Sequence, residues 1–485
     1  MIEGLKPYAE YKESGLPWLG RVPAHWVTKR GKSYMTAIDH RSQSGKEELL
    51  TVSSARGVIP RNTAKVTMFK AESYAGYKLC WPGDLVINSL WAWGGGLGVA
   101  QHHGIISTAY SVYRPRPSAQ MNPRFLHELV RSSSFNWELH VRSKGIWISR
   151  LQLTDTSFLD APIPLPPPDE QAAIVRFLDH ANRKIDGFIR AKRKLIGLLN
   201  EQKQAIIHRA VTGKDEVRMV KDENGNSSFI LQPSTLPKKP SGIPWLGDIP
   251  QHWEVRRLRS CIVGRLTYGA NAAAEFDNPD WPRYLRITDF NNDGSLRSNT
   301  FRSLPPDVAK DYPVEGGDIL FARSGATVGK AFLVSTETEK ACYAGYLIRA
   351  RPNTDVVLPT FLFAFTQSTA FACWKDAIFN RATIQNIGAD KYANLIVPIP
   401  PIAEQQAILD FIEKDIAPLR TAIARTEREI ALMQEYRTRL TADLVTGKLD
   451  VREAAAHLPA PPSDAVTEST AEEPLEDIET EGIEP

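Results

Sequence analysis

SGLPWLGRVPAHW at residues 14–26 comes back as SGIPWLGDIPQHW at residues 241–253, identical at nine of thirteen positions. Further along, residues 170–214, opening EQAAIVRFLDH and closing AVTGK, align without a gap to residues 404–448, opening EQQAILDFIEK and closing LVTGK. Two separated stretches repeated in the same order mark a tandem duplication, which says more about architecture than any single short motif. Each copy is a block of about 150 residues, long enough to bury its own core, followed by a long helical pattern.

Within the first block TVSSARGVIP, DLVINSL and AYSVYRP read as strands, and NPRFLHELVRSSSF reads as an amphipathic helix. The second block repeats the plan with YLRITDF, GDILFAR and YLIRARP as strands and LPTFLFAFTQSTAFACW as helix. Both blocks end in a proline-rich step, APIPLPPPDEQ at 161–171 and VPIPPIAEQ at 397–405. Proline has no amide to donate and restrains the residue before it, so these steps stop strand pairing and open a helix at the acidic residue that follows.

In the first helical pattern Leu178, Ile185, Leu199 and Ile206 share one heptad position, with Ala181, Phe188 and Leu195 on a neighbouring one; in the second, Ile412, Leu419, Met433 and Leu440 correspond. Such a stripe is a narrow apolar seam that needs a partner helix. Each pattern spans roughly 65 Å at 1.5 Å per residue, far longer than an ordinary globular helix. The two most economically bury each other, as an antiparallel pair with one block at each end. Lys192 and Thr426 interrupt the seam at equivalent positions, and Pro418 is expected to kink the second helix or restart it. The fold expected is therefore α+β, with two similar mixed α/β domains separated by a long antiparallel two-helix coiled coil of approximate two-fold symmetry.

Charge adds little until the chain is divided. The 59 Lys and Arg against 56 Asp and Glu leave +3, but residues 464–485 hold nine acidic residues and no Lys or Arg, so residues 1–463 carry 59 basic against 47 acidic residues, a net of +12. A basic body suits a polyanionic partner. The segment after Arg452 reads as a disordered acidic tail. Cys80, Cys261, Cys342 and Cys373 are scattered without ligand spacing, as expected of reduced thiols in a cytoplasmic protein. Neither a leader nor a membrane span is expected.

Several catalytic readings fail. SGATVGKAF at 324–332 has Ser324 where a phosphate loop needs its first glycine, and Ala331 where it needs Ser or Thr. WGGGLGVAQ at 93–101 does not fit the dinucleotide fingerprint and reads instead as a turn or a close backbone approach. His102 and His103 are adjacent and would point to opposite faces of a strand, a poor start for a metal site. No catalytic group, cofactor site or metal site is assigned to the chain.

Two similar blocks on a rigid spacer would make a ruler for two separated half-sites, since about 65 Å is about two turns of duplex. The side chains suited to contact DNA lie in the variable loops: Ser53, Ser54, Arg56, Arg61, Asn88, Trp91 and Trp93 in the first block, and Arg286, Thr288, Arg323, Ser324, Thr327 and Lys330 in the second. Arg and Asn pair with guanine and adenine edges, while Lys, Ser and Thr commonly bind phosphate. Trp91 and Trp93 would share one strand face, where they could equally belong to the core.

The SG(L/I)PWLG..P.HW openings, the IPLPPPDEQAAI and PIPPIAEQQAI steps, the VTGK endings and the segments AWGGGLGVA and ARSGATVGKA together resemble the specificity subunit of type I restriction-modification systems. The likeness covers residues 14–452; Pro418 and the acidic tail depart from it. It implies a non-catalytic subunit that reads a bipartite, asymmetric target in double-stranded DNA. Its domains would be target recognition domains at 1–165 and 241–400, helical conserved regions at 166–214 and 401–450, a linker at 215–240, and the tail at 451–485. It also implies two methyltransferase subunits and restriction/translocase subunits as partners, which would carry S-adenosylmethionine, ATP and Mg. The alternatives from other classes are an architectural coiled-coil scaffold that binds protein without DNA sequence preference, and an enzyme with an unrecognised nuclease site.

Overall fold

The computed structural model describes residues 5–459 apart from 65–72, 146–150, 222–226, 234, 235, 292, 293, 295, 298, 326, 337, 339 and 380–385, with the backbone only at 216–221 and 227–233. The chain divides into two units, residues 1–191 with 428–485, and residues 192–427.

The first unit is built on a four-stranded antiparallel sheet in the order Met35–Ile38, Tyr110–Pro115, Leu85–Asn88, Leu97–Val99. DLVINSL forms its central strand because side chains alternate across a sheet. Leu85 and Ile87 enter one buried cluster with Phe125, Leu129 and Trp26, and Val86 enters another with Leu50, Val52 and Ile106. TVSSARGVIP proves to be two strands, a hairpin of Leu50–Ser53 and Gly57–Pro60 turning through Ser54–Arg56. The helical run after Asn122 is likewise two helices, Pro123–Arg131 and Ser133–Arg142, because Ser132 ends one and caps the next, accepting from the Phe135 amide.

The second unit repeats this topology with Thr267–Tyr268, Leu347–Ala350, Ile319–Ala322 and Ala331–Leu333. Ile319 and Phe321 face the cluster around Trp253, Phe361 and Tyr392, and Leu320 and Ala322 face the opposite one. YLRITDF is strand only over Arg283–Leu285 and then a turn, Ile287–Asp289. In both units a short strand pair closes the block, Val27–Arg30 with Pro162–Leu165 and Glu254–Arg257 with Ile396–Ile399. The chain thus leaves each block beside the point where it entered.

Each long helix follows at once, Pro168–Val211 and Ile402–Val445. Both end on the same local device. Gly213 and Gly447 take positive φ, their amides reach the carbonyls of Ala210 and Leu444, and the amides of Lys214 and Lys448 reach Arg209 and Asp443. A left-handed residue after the last turn satisfies the free carbonyls in this way, and glycine does so without strain. A Cβ on Gly447 would also lie 2.4 Å from Pro23 Cδ, and one on Gly213 would lie 2.2 Å from Pro250 Cδ. VTGK is therefore both the helix stop and the seat for a P.HW motif.

In the first unit Ile174, Phe177, Leu178 and Ala181 share a core with Leu440, Leu444 and Val445, and Asp186 pairs with Arg437. In the second, Ile207, Ala210 and Val211 share a core with Ile408, Phe411, Ile412 and Ile416. The start of each helix thus packs on the end of the other, so they run antiparallel.

Four expectations change, two of them about these helices. Phe188 and Leu195 are exposed, and Ile189 and Ile196 take the inward positions, because four residues separate them from Ile185 and Lys192 and bring them back to the buried face. Pro418 neither stops nor restarts the second helix. It lies exposed with Lys414, so the carbonyl left without an amide partner is on the solvent side. The order expected to end after Arg452 continues through a short helix, Arg452–Ala456, which buries Val451 and Ala455; residues 460–485, and with them the acidic run, lie outside the described residues. The segment expected to be a linker contains a hairpin, Asp215–Lys221 with Ser227–Pro233.

Candidate nucleic-acid interface

In the first unit two loops meet, the turn at Ser54–Arg56 and the loop after Asn88. Arg131, at the end of its helix, joins them. Its guanidinium donates to the carbonyls of Ser54 at 2.6 Å, Ala55 at 2.9 Å and Leu97 at 2.7 Å, and more loosely to Gly95 at 3.3 Å and Ser53 at 3.5 Å. Arginine suits this task because its donors are fixed in one plane. Burial lowers its pKa and the nearby Glu128 raises it. On the same helix His127 is pushed down to about 3, first by burial and then by the charges of Arg131 and Arg124, and its Nδ1 accepts from the Val99 amide at 3.3 Å.

The candidates in this unit then separate by role. Ser53 is fully buried, and its hydroxyl accepts from the amides of Ala55 and Arg56 at 3.2 Å each, so it shapes the turn. Ser54 is half-buried; Arg56 is exposed and donates to the Thr63 carbonyl at 3.0 Å, beside half-buried Arg61 in the turn Arg61–Thr63. Asn88 shapes the second loop by accepting from the Leu90 amide at 3.1 Å.

Trp91 and Trp93 do not lie along a strand as expected. Trp91 opens a tight turn, Ala92–Gly94, and Trp93 lies inside it, both half-buried, with ring centroids 4.5 Å apart. The glycines explain why: a Cβ on Gly94 would sit 2.5 Å from the Trp91 ring, and one on Gly96 would sit 2.9 Å from its carbonyl. The close approach inferred for this glycine run is thus to the chain's own indole. The Trp93 indole N–H is buried and meets no acceptor among the described residues. Leu90 is exposed beside the pair.

In the second unit Arg323, Ser324, Thr327 and Lys330 lie together in the hairpin between Ile319–Ala322 and Ala331–Leu333. Arg323 stacks 5.1 Å over the Tyr268 ring and donates to the Gly345 carbonyl at 3.4 Å, while its amide bonds Tyr346 at 3.0 Å. Tyr268 and Tyr346 are 43% and 62% exposed, an aromatic and cationic surface suited to sugar, base and phosphate. Arg286 and Thr288 lie on a different turn. Arg286 holds the fully buried Asp289 at 2.7 Å and the Thr300 carbonyl at 3.0 Å, so its fork is committed inside the protein, and Thr288 stands exposed.

Reading the sequence missed Arg131, Tyr268 and Tyr346. Arg131 carried a weak signal, a cation closing an apolar helix, but the carbonyls it collects come from loops distant in sequence. Among the described residues no group of three or more His, Cys, Asp or Glu is placed to hold a metal, and no helix is long and apolar enough to cross a membrane. His103 stacks on Trp81 and bonds the Cys80 carbonyl at 3.1 Å.

Comparison with known proteins agrees with this layout. Residues 250–430 match the family described as the type I restriction modification DNA specificity domain. The chain is 26% identical over 320 residues to the EcoBI type I restriction enzyme specificity subunit of Escherichia coli, covering 61% of this chain and 63% of that one. It is 23% identical over 211 residues to the EcoKI specificity subunit of Escherichia coli K12, covering 42% and 44%. The chain thus spans less than two thirds of the length of these relatives. A chain solved in work on complex assembly and conformational transition of the type I R-M system shares the fold at a TM-score of 0.58 and 16% identity, covering 87% of this chain and 98% of that one. In its family match and in these relatives the chain is similar to type I restriction-modification specificity subunits.

Proposed function

We propose that the protein reads a bipartite, asymmetric sequence in double-stranded DNA for a cytoplasmic type I restriction-modification complex, each block taking one half-site. The observation that carries this reading is that two blocks share one strand order and one attachment to the helices, yet differ where their loops meet the surface. One offers Arg56, Trp91 and Trp93 over Arg131; the other offers Arg323, Tyr268 and Tyr346. A common frame with divergent tips is what two different half-sites require.

Ser54, Arg56, Arg61, Thr288, Arg323, Ser324, Thr327 and Lys330 are the proposed contacts, with Trp91 and Trp93 as apolar walls and Ser53, Asn88 and Arg286 holding the loops. The chain supplies position and no reaction. Two methyltransferase subunits docked on the helices would bring S-adenosylmethionine, and restriction/translocase subunits would bring ATP and Mg. Long-read mapping of modified adenines in cells with and without the gene tests the proposal. Loss of methylation at one bipartite motif is expected. An unchanged map would favour the architectural scaffold instead, and metal-dependent cleavage by the isolated chain would favour a nuclease.

A further inference from the structure

The duplicated dipeptides Glu170–Gln171 and Glu404–Gln405 lie in the first turns of the long helices, and they make the same bonds twice. Glu170, 1% exposed, accepts from the Trp26 indole at 2.8 Å and from the Tyr8 hydroxyl, and pairs with His25 at 2.7 Å. Glu404 accepts from the Trp253 indole at 3.0 Å and pairs with His252 at 2.8 Å. Each glutamate thereby grips the P.HW turn that opens its own block.

The glutamines, both fully buried, grip the other side of the block. Gln171 donates to the carbonyls of Pro166 at 2.9 Å and Gln120 at 3.3 Å and accepts from the Asn122 amide at 2.7 Å. Gln405 donates to Pro400 at 2.9 Å and Val356 at 3.0 Å and accepts from the Leu358 amide at 2.8 Å. Asn122 and Leu358 are the residues immediately before the helices Pro123–Arg131 and Pro359–Thr366. From one helical turn, therefore, one side chain holds the first turn of the block and the next holds the start of its late helix. The opposing helix end closes the joint, through Gly447 against Pro23 and Gly213 against Pro250.

A block held by a single contact could swivel on its helix. Bonds to two separated points of the block remove that freedom; Glu170 and both glutamines are buried and Glu404 is half-buried, and bonds to a carboxylate or to buried groups are costly to lose. None of these side chains belongs to the loops that carry Arg56 or Arg323. We propose that the two Glu–Gln pairs are positioning residues that set the angle of each reading block on its helix, and so restrict the half-site spacing the protein accepts without selecting its bases. This rests on the DNA-reading function proposed above.

The test is the methylation map of the intact complex carrying Glu404→Ala or Glu170→Ala. A misplacement of about 1 Å can cost on the order of 100-fold, so wild type is expected to reject spacings one base pair off by about 100-fold and E404A by only about tenfold. Both half-site sequences should stay unchanged, and E404Q, which keeps an acceptor for Trp253, should fall between them. Native spacing only in E404A, or altered bases in either half-site, overturns the proposal. If E404A does not fold, His252→Ala, which deletes one bond from a half-exposed side chain, is read by the same two outcomes. A wild-type complex that methylates no bipartite motif would instead sink the proposed function.

Discussion

At the scale of single residues, Arg131 separates what shapes the candidate surface from what would touch DNA. Its guanidinium holds two loops by carbonyls alone. Arg131→Met keeps the stem and strands those acceptors, at a cost of about 2–4 kcal/mol. Thermal unfolding should show that loss, and methylation mapping should show degraded reading of one half-site with the other intact. His127 adds a pH dependence. Its folded pKa of about 3 lies below the ordinary value of 6.5, so the unfolded chain binds the proton first, and the stability from the neutral ring is complete above pH 6.5 and lost as pH falls toward 3. At pH 5 the loss is about 2 kcal/mol. In His127→Gln, melting temperatures should decline less between pH 6.5 and 5, and an equal slope would show that other groups carry the acid sensitivity.

At the scale of elements, the long helices show how much a periodic pattern reveals. The heptad at Ile412, Leu419, Met433 and Leu440 matches the inward face, and Thr426 is buried there with its hydroxyl returned to the Ala422 carbonyl at 2.7 Å. The companion positions Phe188 and Leu195 misled because a stripe of hydrophobic residues can be wider than the seam it serves. Pro418 does not restart the helix, because one missing amide on an exposed face does not outweigh packing on both sides of it. Pro418→Ala should restore that bond and stabilise the protein by roughly 1–3 kcal/mol. Chemical denaturation would measure it, and an unchanged or lower midpoint would mean that the helix is built around the proline.

At the scale of the whole molecule, each long helix gives its first half to one unit and its second half to the other, Pro168–Val211 crossing at residue 192 and Ile402–Val445 at residue 428. Seven residues inserted at equivalent places in both helices keep the seam in register and add about 10 Å, or about three base pairs of duplex. The methylated motif should keep both half-sites and gain that many unread positions. A motif of native length would disprove the ruler.

The duplication, the mixed class of each block and the helix starts at the proline steps were legible in the chain, because periodicity and missing amides act within a few residues; VTGK stood out as a repeat, and its role as a helix stop through a left-handed glycine came from the structure. Even the repeated P.HW and Glu–Gln motifs stood out as repeats. What they do was decided only by tertiary structure, which brings Trp26 to Glu170 and Trp253 to Glu404 across more than a hundred residues. The same holds for Arg131 beneath the two loops and for Arg286, which looked free and is bound to Asp289. A side chain's type shows which bonds it can make; which partner it meets depends on loop paths that no local pattern encodes.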